Sequence, residues 1–245
     1  MMRYFGSPIL FAAFLLLAPI SAQAAEKTLT VVELFTSQGC SSCPPADSYV
    51  GELAKRDDVL ALSYHVDYWD YIGWKDPFAD PKHTVRQRRY SRQMNLSYVY
   101  TPQVVIHGSE QAIGSDIADI NKKIAKIQLN NNVPVTIKRK SGGDVQVSVE
   151  AFKDQGSAEI FLIGFDNSHS TNIRRGENSG RKLNNYNVVR GMRRIGTWSG
   201  KAVTIPASVL NLAKNKPDNC AVIVQSKRTG KIIGAAKISL TKSGT

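Results

Sequence analysis

Residues 35–47 read "FTSQGCSSCPPAD": two cysteines, Cys40 and Cys43, spaced C-x-x-C and followed at once by a proline pair. The residues leading into them, "LTVVELF" at 29–35, are β-branched and apolar, the composition of a buried strand. "TSQG" interrupts that run, and "SSCPPADSYVGELAKR" then carries Ala46, Tyr49, Val50 and Leu53 at helical spacing. Pro44 and Pro45 are compatible with a helix only in its first turn. The stretch therefore predicts strand, break and helix, with Cys40 at or just before the helix N-terminus. Three uses remain for such a pair: a reactive dithiol, a metal clip or a static disulfide.

Outward from that stretch a second strand is predicted at 59–66, "VLALSYHV", then a helical insert at 67–97 dense in aromatic and turn residues. "YVYTPQVVIHG" at 98–108 reads as a short strand with a proline at its start, and "EQAIG" as its hairpin partner. Ser115 is placed to cap a helix that lines up Ile117, Ile120, Ile124 and Ile127. Past Gln128 the texture changes to short alternating strands split by Gly, Asn, Asp and Ser. That predicts a smaller, mostly antiparallel β domain at 131–245, after a boundary at 130–132. The expected fold class is α/β, one domain at 25–130 and the β-rich one after it.

Residues 1–24 read as a secretory leader: Arg3, an apolar run at 9–18, and small residues at Ala22 and Ala24 before cleavage near Ala24. The run is well short of the roughly 20 residues of a membrane-crossing helix, so no stable membrane span is expected. The product is read as periplasmic or secreted, where disulfides persist. The formal net charge of +12 is spread along the chain without a long basic block. This argues against nucleic acid as a partner and for solubility or attraction to anionic envelope surfaces. Three cysteines, with Cys220 far from the pair, do not make a disulfide scaffold.

The order strand, helix, strand, helical insert, strand, strand, helix resembles that of thioredoxin-like folds. These bring together a C-x-x-C at the first strand-to-helix turn and a Thr-Pro opening a later strand, here Thr101 and Pro102. The resemblance implies a cis Thr101–Pro102 bond that faces the backbone of Thr101 toward the sulfur of Cys40. More narrowly, "VVELFTSQGCSSCPPAD", "LSYHVDYWDYIGWKDPF", "TVRQRRY", "YTPQVVIHG" and "RRGENSGRKLNNYNVVRGMRRIGTW" are together similar to the exported thioredoxin-like family catalogued as domain of unknown function 1223. That resemblance covers nearly the whole mature chain and implies a thioredoxin-like fold and export; it brings no reaction with it. The motif departs from familiar oxidoreductases in having Ser41-Ser42 between the cysteines and Gly39 where an aromatic is usual. The direction of electron flow therefore stays open.

A cysteine attacks as thiolate, and at a pKa of about 8.5 a free one is mostly protonated at neutral pH. A helix N-terminus offers unpaired N–H groups and partial positive charge, which makes Cys40 the expected attacking thiol and a less exposed Cys43 the resolving one. The leading expectation is an exported thiol–disulfide oxidoreductase without a cofactor. It would act on protein or peptide thiols, need a separate redox partner and cycle through a Cys40–Cys43 disulfide. Glu33, alone among apolar neighbours in the first strand, is the candidate proton relay. Tyr100, Thr101, Pro102, His65 and Trp69 are candidate substrate contacts. One alternative is a copper(I)-binding or copper-delivery protein with Cys40, Cys43 and His65 as ligands, since two thiolates suit a soft ion. Another is a redox-inert binding module. A structural zinc site would need a second pair of ligands that no further C-x-x-C supplies. The arginines of "TVRQRRYSRQ", "RRGENSGRK" and "VVRGMRR" would hold an acidic partner if they converge, and Cys220 reads as a small buried hydrophobe.

Overall fold

The computed structural model describes residues 1–2, 28–127, 132–210, 212–213 and 215–241. Apart from Met1 and Met2, the leader expected at 1–24 and its cleavage point lie outside the described residues, as do residues 128–131 next to the expected boundary.

Strand β1 (Thr30–Thr36) is buried along its whole length because both its faces are covered. Val32 and Leu34 face helices α1 (Pro44–Ala54) and α3 (Ile117–Lys126), while Val31 and Phe35 face the side of Tyr90 on α2 (Pro81–Gln93). A strand covered on both sides reads as an unbroken apolar run, as this one does. It pairs in parallel with β2 (Val59–His65) and antiparallel with β3 (Gln103–Ile106), which turns back into β4 (Glu110–Ile113). Helix α1 starts at the proline pair, with Cys43 as its N-cap residue. Of the insert expected at 67–97, α2 and a single 3₁₀ turn at Asp70–Ile72 are helical. The cap of α3 is Asp116 and not Ser115: its carboxylate accepts from the Asp119 amide at 3.0 Å and complements the positive helix end.

Strands β5 (Val135–Arg139), β6 (Asp144–Val149) and β9 (Val203–Ser208) form a separate three-stranded antiparallel sheet. The rest of the second half does not stand apart at the expected boundary. Strands β7 (Ala158–Asn172), β8 (Lys182–Trp198), β10 (Asn219–Ser226) and β11 (Ile232–Ser239) extend the first sheet, in the order β11-β10-β7-β8-β2-β1-β3-β4. Their mutual pairings are antiparallel, as the alternation implied, but β8 joins β2 in parallel at Ser63 and Val188. The physical reason is the open edge of β2, whose backbone groups would otherwise be buried without partners. The sheet also curls: Ile232 N donates to His107 O at 2.9 Å and Lys237 Nζ to Val59 O at 2.8 Å, which brings β11 back against the first strands. One core fills the curl around Phe35, Tyr64, Tyr90, Ile163 and Ile223, another lies under α1 and α3, and a third joins the small sheet to Ile160, Leu162 and Trp198. The chain is thus α/β, with a large mixed sheet and a second, smaller antiparallel one. No described helix is long and apolar enough to cross a membrane.

Candidate functional site

Cys40 and Cys43 are joined in a disulfide, with Cα atoms 5.5 Å apart. The loop that carries them is wound tightly: Cys40 N donates to Ser37 O at 3.1 Å, Gly39 N to Ser37 Oγ at 3.0 Å and Cys43 N to Cys40 O at 3.3 Å. The Thr101–Pro102 bond is cis. Pro102 sits at the first turn of α1: a Cβ on Gly114 would lie 2.8 Å from Pro102 Cβ and 2.9 Å from Ala46 Cβ, so Gly114 lets the two meet. Trp69 completes this wall. Its Nε1 donates to Thr101 Oγ1 at 2.7 Å, and its Cβ would lie 3.2 Å from a Cβ on Gly39. The aromatic missing before Cys40 is thus supplied by the insert, and Gly39 is the residue that leaves it room. Tyr100 is turned elsewhere: its hydroxyl donates to Gln111 Oε1 and its carbonyl accepts from Gln87 Nε2.

The expected contrast between an open Cys40 and a sheltered Cys43 is not found. Both are 0% exposed. Besides the wall of Pro102 and Trp69, the tip of the β7–β8 hairpin, residues 173–181, lies on the disulfide loop. Asn178, itself buried, donates through Nδ2 to Gln38 O and to Cys40 O, each at 3.0 Å. Glu177 accepts from Ser41 N at 3.2 Å, and Arg181 Nη1 donates to Asn178 Oδ1 at 2.8 Å. Gly176, at φ +75°, packs against Trp74, whose Nε1 donates to Gln38 Oε1 at 3.1 Å.

Beneath the loop lies a buried polar group. His65 Nδ1 is 2.7 Å from Asp76 Oδ2, and that oxygen also accepts from Gln38 N at 2.7 Å. Burial alone would lower the His65 pKa, but Asp76 and Asp47 hold it above its ordinary value. Burial would likewise raise Asp76, yet His65 and the Gln38 and Phe78 amides hold it below the usual carboxylate range. Asp47 follows Cys43 by one helical turn and so shares its side of α1. Burial pushes its carboxyl up to about 6, against the opposing pull of His65, Thr36 and Asn185. Asp47 Oδ1, Thr36 Oγ1, His65 Nε2 and Asn185 Nδ2 are buried without a hydrogen bond of ordinary geometry to any described residue. Asp47 also lines a pocket of about 160 Å³ with Pro44, Arg181, Lys182 and Tyr186, which opens a way from this group to solvent.

Glu33 does not belong to this site. Side chains alternate along a strand, so Glu33 points with Val31 and Phe35 away from α1. There it accepts two bonds from Arg86, at 2.8 and 3.0 Å, and one from the Tyr90 hydroxyl. The relay expected of it beside Cys43 has no geometric support. Of the basic runs, Arg86 is turned inward, Arg181 serves the hairpin tip, and Arg89 and Arg194 converge on Glu159 at 3.2 and 3.9 Å. For the copper(I) ligand set, the sulfurs are bonded to each other and His65 has only Nε2 uncommitted. Asp47 and Asn178 are the residues that sequence reasoning missed: Asp47 had a signal, its four-residue spacing from Cys43, and Asn178, on the remote hairpin tip, had none.

The family model described as protein of unknown function (DUF1223) matches residues 31–225. No curated protein matches the chain. Among solved structures, the crystal structure of a protein from Agrobacterium tumefaciens, a structural genomics target, is 32% identical, with a TM-score of 0.78 over 90% of this chain and 99% of that one.

Proposed function

Since the chain belongs to the DUF1223 family, whose description carries no reaction, we propose its chemistry from the site: an exported thiol–disulfide oxidoreductase of thioredoxin-like build, exchanging electrons with protein or peptide thiols through Cys40 and Cys43. The observation that carries this reading is the disulfide at the start of α1 beside the cis Thr101–Pro102 bond and Trp69. A substrate thiolate attacks Cys40 Sγ, the Cys40–Cys43 bond breaks, and Cys43 leaves as a thiolate at the positive end of α1. Asp47, one turn along α1 from Cys43, is in its acid form a candidate to give Cys43 a proton. A second substrate thiolate then attacks the substrate sulfur of the mixed disulfide and releases Cys40. Two thiols are oxidised to one disulfide, the protein pair takes up both electrons, and a redox partner restores it. Run backwards, the same steps reduce a substrate disulfide, with Cys40 as the attacking thiolate.

The reading is tested by trapping. Cys43→Ala, expressed in the exporting cell, is expected to accumulate mixed disulfides through Cys40 that dithiothreitol releases, and Cys40→Ser is expected to accumulate none. The wild-type pair should titrate reversibly against a dithiol buffer, within the roughly −120 to −270 mV spanned by thioredoxin, disulfide isomerase and DsbA. No adducts and no reversible exchange with any dithiol would rule the reading out.

A further inference from the structure

The contacts of the hairpin tip with the disulfide loop are of one kind. Across residues 38–41 the tip supplies two N–H donors to backbone carbonyls, from Asn178 to Gln38 O and Cys40 O, and one acceptor to a backbone amide, from Glu177 to Ser41 N. These are the bonds that the backbone of an extended polypeptide offers when it lies along another chain. The asparagine side chain is itself an amide, and the carboxylate of Glu177 stands where a peptide carbonyl would.

Apart from Gly176 against Trp74, the tip is held by turn bonds within itself, such as Gly180 N to Ile173 O at 2.8 Å and Ser179 Oγ to Arg174 O at 3.1 Å. Ile173 and Asn178 are buried, but Arg174, Arg175, Glu177, Ser179 and Gly180 are exposed. A segment anchored by a few polar bonds and little apolar surface opens at low cost compared with the sheet behind it. Opening nevertheless takes donors away from Gln38 O and from Cys40 O, which then keeps only the 3.3 Å bond from Cys43 N. An arriving polypeptide brings them. A small thiol does not.

We infer that Asn178 and Glu177 form a substrate-mimicking clasp over the disulfide, and that the thiols admitted to Cys40 are those carried on extended, unfolded polypeptide segments, whose backbone takes over the clasp's three hydrogen bonds. The inference rests on the redox reading of the pair and adds to it the class of substrate. Folded proteins, whose cysteines lie within formed elements, present no free backbone to displace the tip. Small thiols without an amide, such as 2-mercaptoethanol, reach Cys40 only when the tip opens unaided.

The test uses the full-length mature protein and two probes, 2-mercaptoethanol, which has no amide, and a short unstructured peptide with one cysteine. In each case two probe thiols become one disulfide as the Cys40–Cys43 bond is reduced, followed by the protein's tryptophan fluorescence. The wild type is expected to react with the peptide at least about tenfold faster than with 2-mercaptoethanol, after correction for the two thiol pKa values. Asn178→Ala is expected to raise the 2-mercaptoethanol rate about tenfold, the effect of a lost hydrogen bond on an opening equilibrium, and the peptide rate much less. Arg181→Ala frees the Asn178 amide to rotate without altering the loop, and should move both rates in the same directions by less. Equal wild-type rates for the two probes, or 2-mercaptoethanol rates unchanged in both folded variants, would overturn the clasp. If trapping through Cys43→Ala succeeds while those rates stay unchanged, the clasp alone is wrong. If no thiol reduces the pair reversibly in any variant, the redox reading falls and takes the clasp with it.

Discussion

Asp47 shows how much a single position depends on what surrounds it. Its folded pKa of about 6 stands above the ordinary 3.8, so between those values the folded chain holds a proton that the unfolded chain has released. Stability is then favoured at low pH and falls as pH rises from about 4 to about 6, by up to about 3 kcal/mol for a shift of this size. Asp47→Asn removes that slope. Measured by urea denaturation, the variant is expected to gain on the wild type by up to about 3 kcal/mol between pH 4 and pH 7.5. His65, Asp76 and Asn185 face the same carboxylate, and loss of the Asp47 charge also removes one of the interactions that hold the His65 pKa up. If Asp47 is the proton donor to Cys43, the pH profile of disulfide reduction should lose an inflection near pH 6 in the variant; a profile superimposable on the wild type would remove it from the mechanism. Cys40, Cys43, Thr101 and Pro102 were legible in the sequence because their signals are local: a spacing, a proline and a strand-to-helix break. Glu33 was misread because a charge inside an apolar run marks a buried partner without saying on which face the partner lies.

That partner lies on α2, and the pairing is what docks this helix on β1. Arg86 donates to both carboxylate oxygens of Glu33 and to Gln225 Oε1, at 3.2 Å, with its guanidinium 5.0 Å from the Tyr90 ring centre. With the Arg86 side chain 8% exposed and that of Glu33 0%, the ions are desolvated, and their attraction largely repays that penalty. Removing one partner leaves the other charge buried alone. Arg86→Met is therefore expected to cost about 3–5 kcal/mol in urea denaturation, and Glu33→Leu with Arg86→Met to recover most of that loss. Glu33→Gln should lower stability yet leave the exchange rate of the folded protein unchanged; a slowed rate in a stable Glu33→Gln protein would restore Glu33 to the chemistry. From sequence, "TVRQRRY" reads as a solvated helix face, because arginines are mostly exposed, and nothing local marks Arg86 as the one turned inward. The strands and helices around the disulfide were legible from their periodicity. The hairpin tip was not, since "RRGENSGRK" is an ordinary basic turn until β7 and β8, 15 and 17 residues long, carry it to Cys40.

Those long strands tie the site to the whole molecule. A change of texture near residue 130 is a real property of the sequence, but strand pairing is non-local, and alternation cannot say which sheet a strand will join. Here β8 lies beside β2 and packs against α1, so that Gly51 is in contact with the ring of Tyr186. The core inside the curl draws Phe35, Leu60, Leu62 and Tyr64 from the first half and Ile163, Phe165, Val189, Ile223 and Ile232 from the second. A large apolar side chain contributes roughly 1.5–3 kcal/mol when buried. Uncovering even four or five such residues would therefore remove about 10 kcal/mol, comparable with the whole stability of an ordinary domain. The first half, residues 25–130, should accordingly not fold by itself, and the intact chain should unfold in one step. In a Trp198→Phe variant the remaining tryptophans, Trp69 and Trp74, report the disulfide end, while far-UV circular dichroism reports the sheet as a whole. Coincident urea midpoints for the two signals are expected, together with a fragment that shows neither cooperative unfolding nor a protected disulfide. Two separated transitions, or a folded fragment, would mean that the site is built by the first half alone, and that the hairpin tip only rests on it.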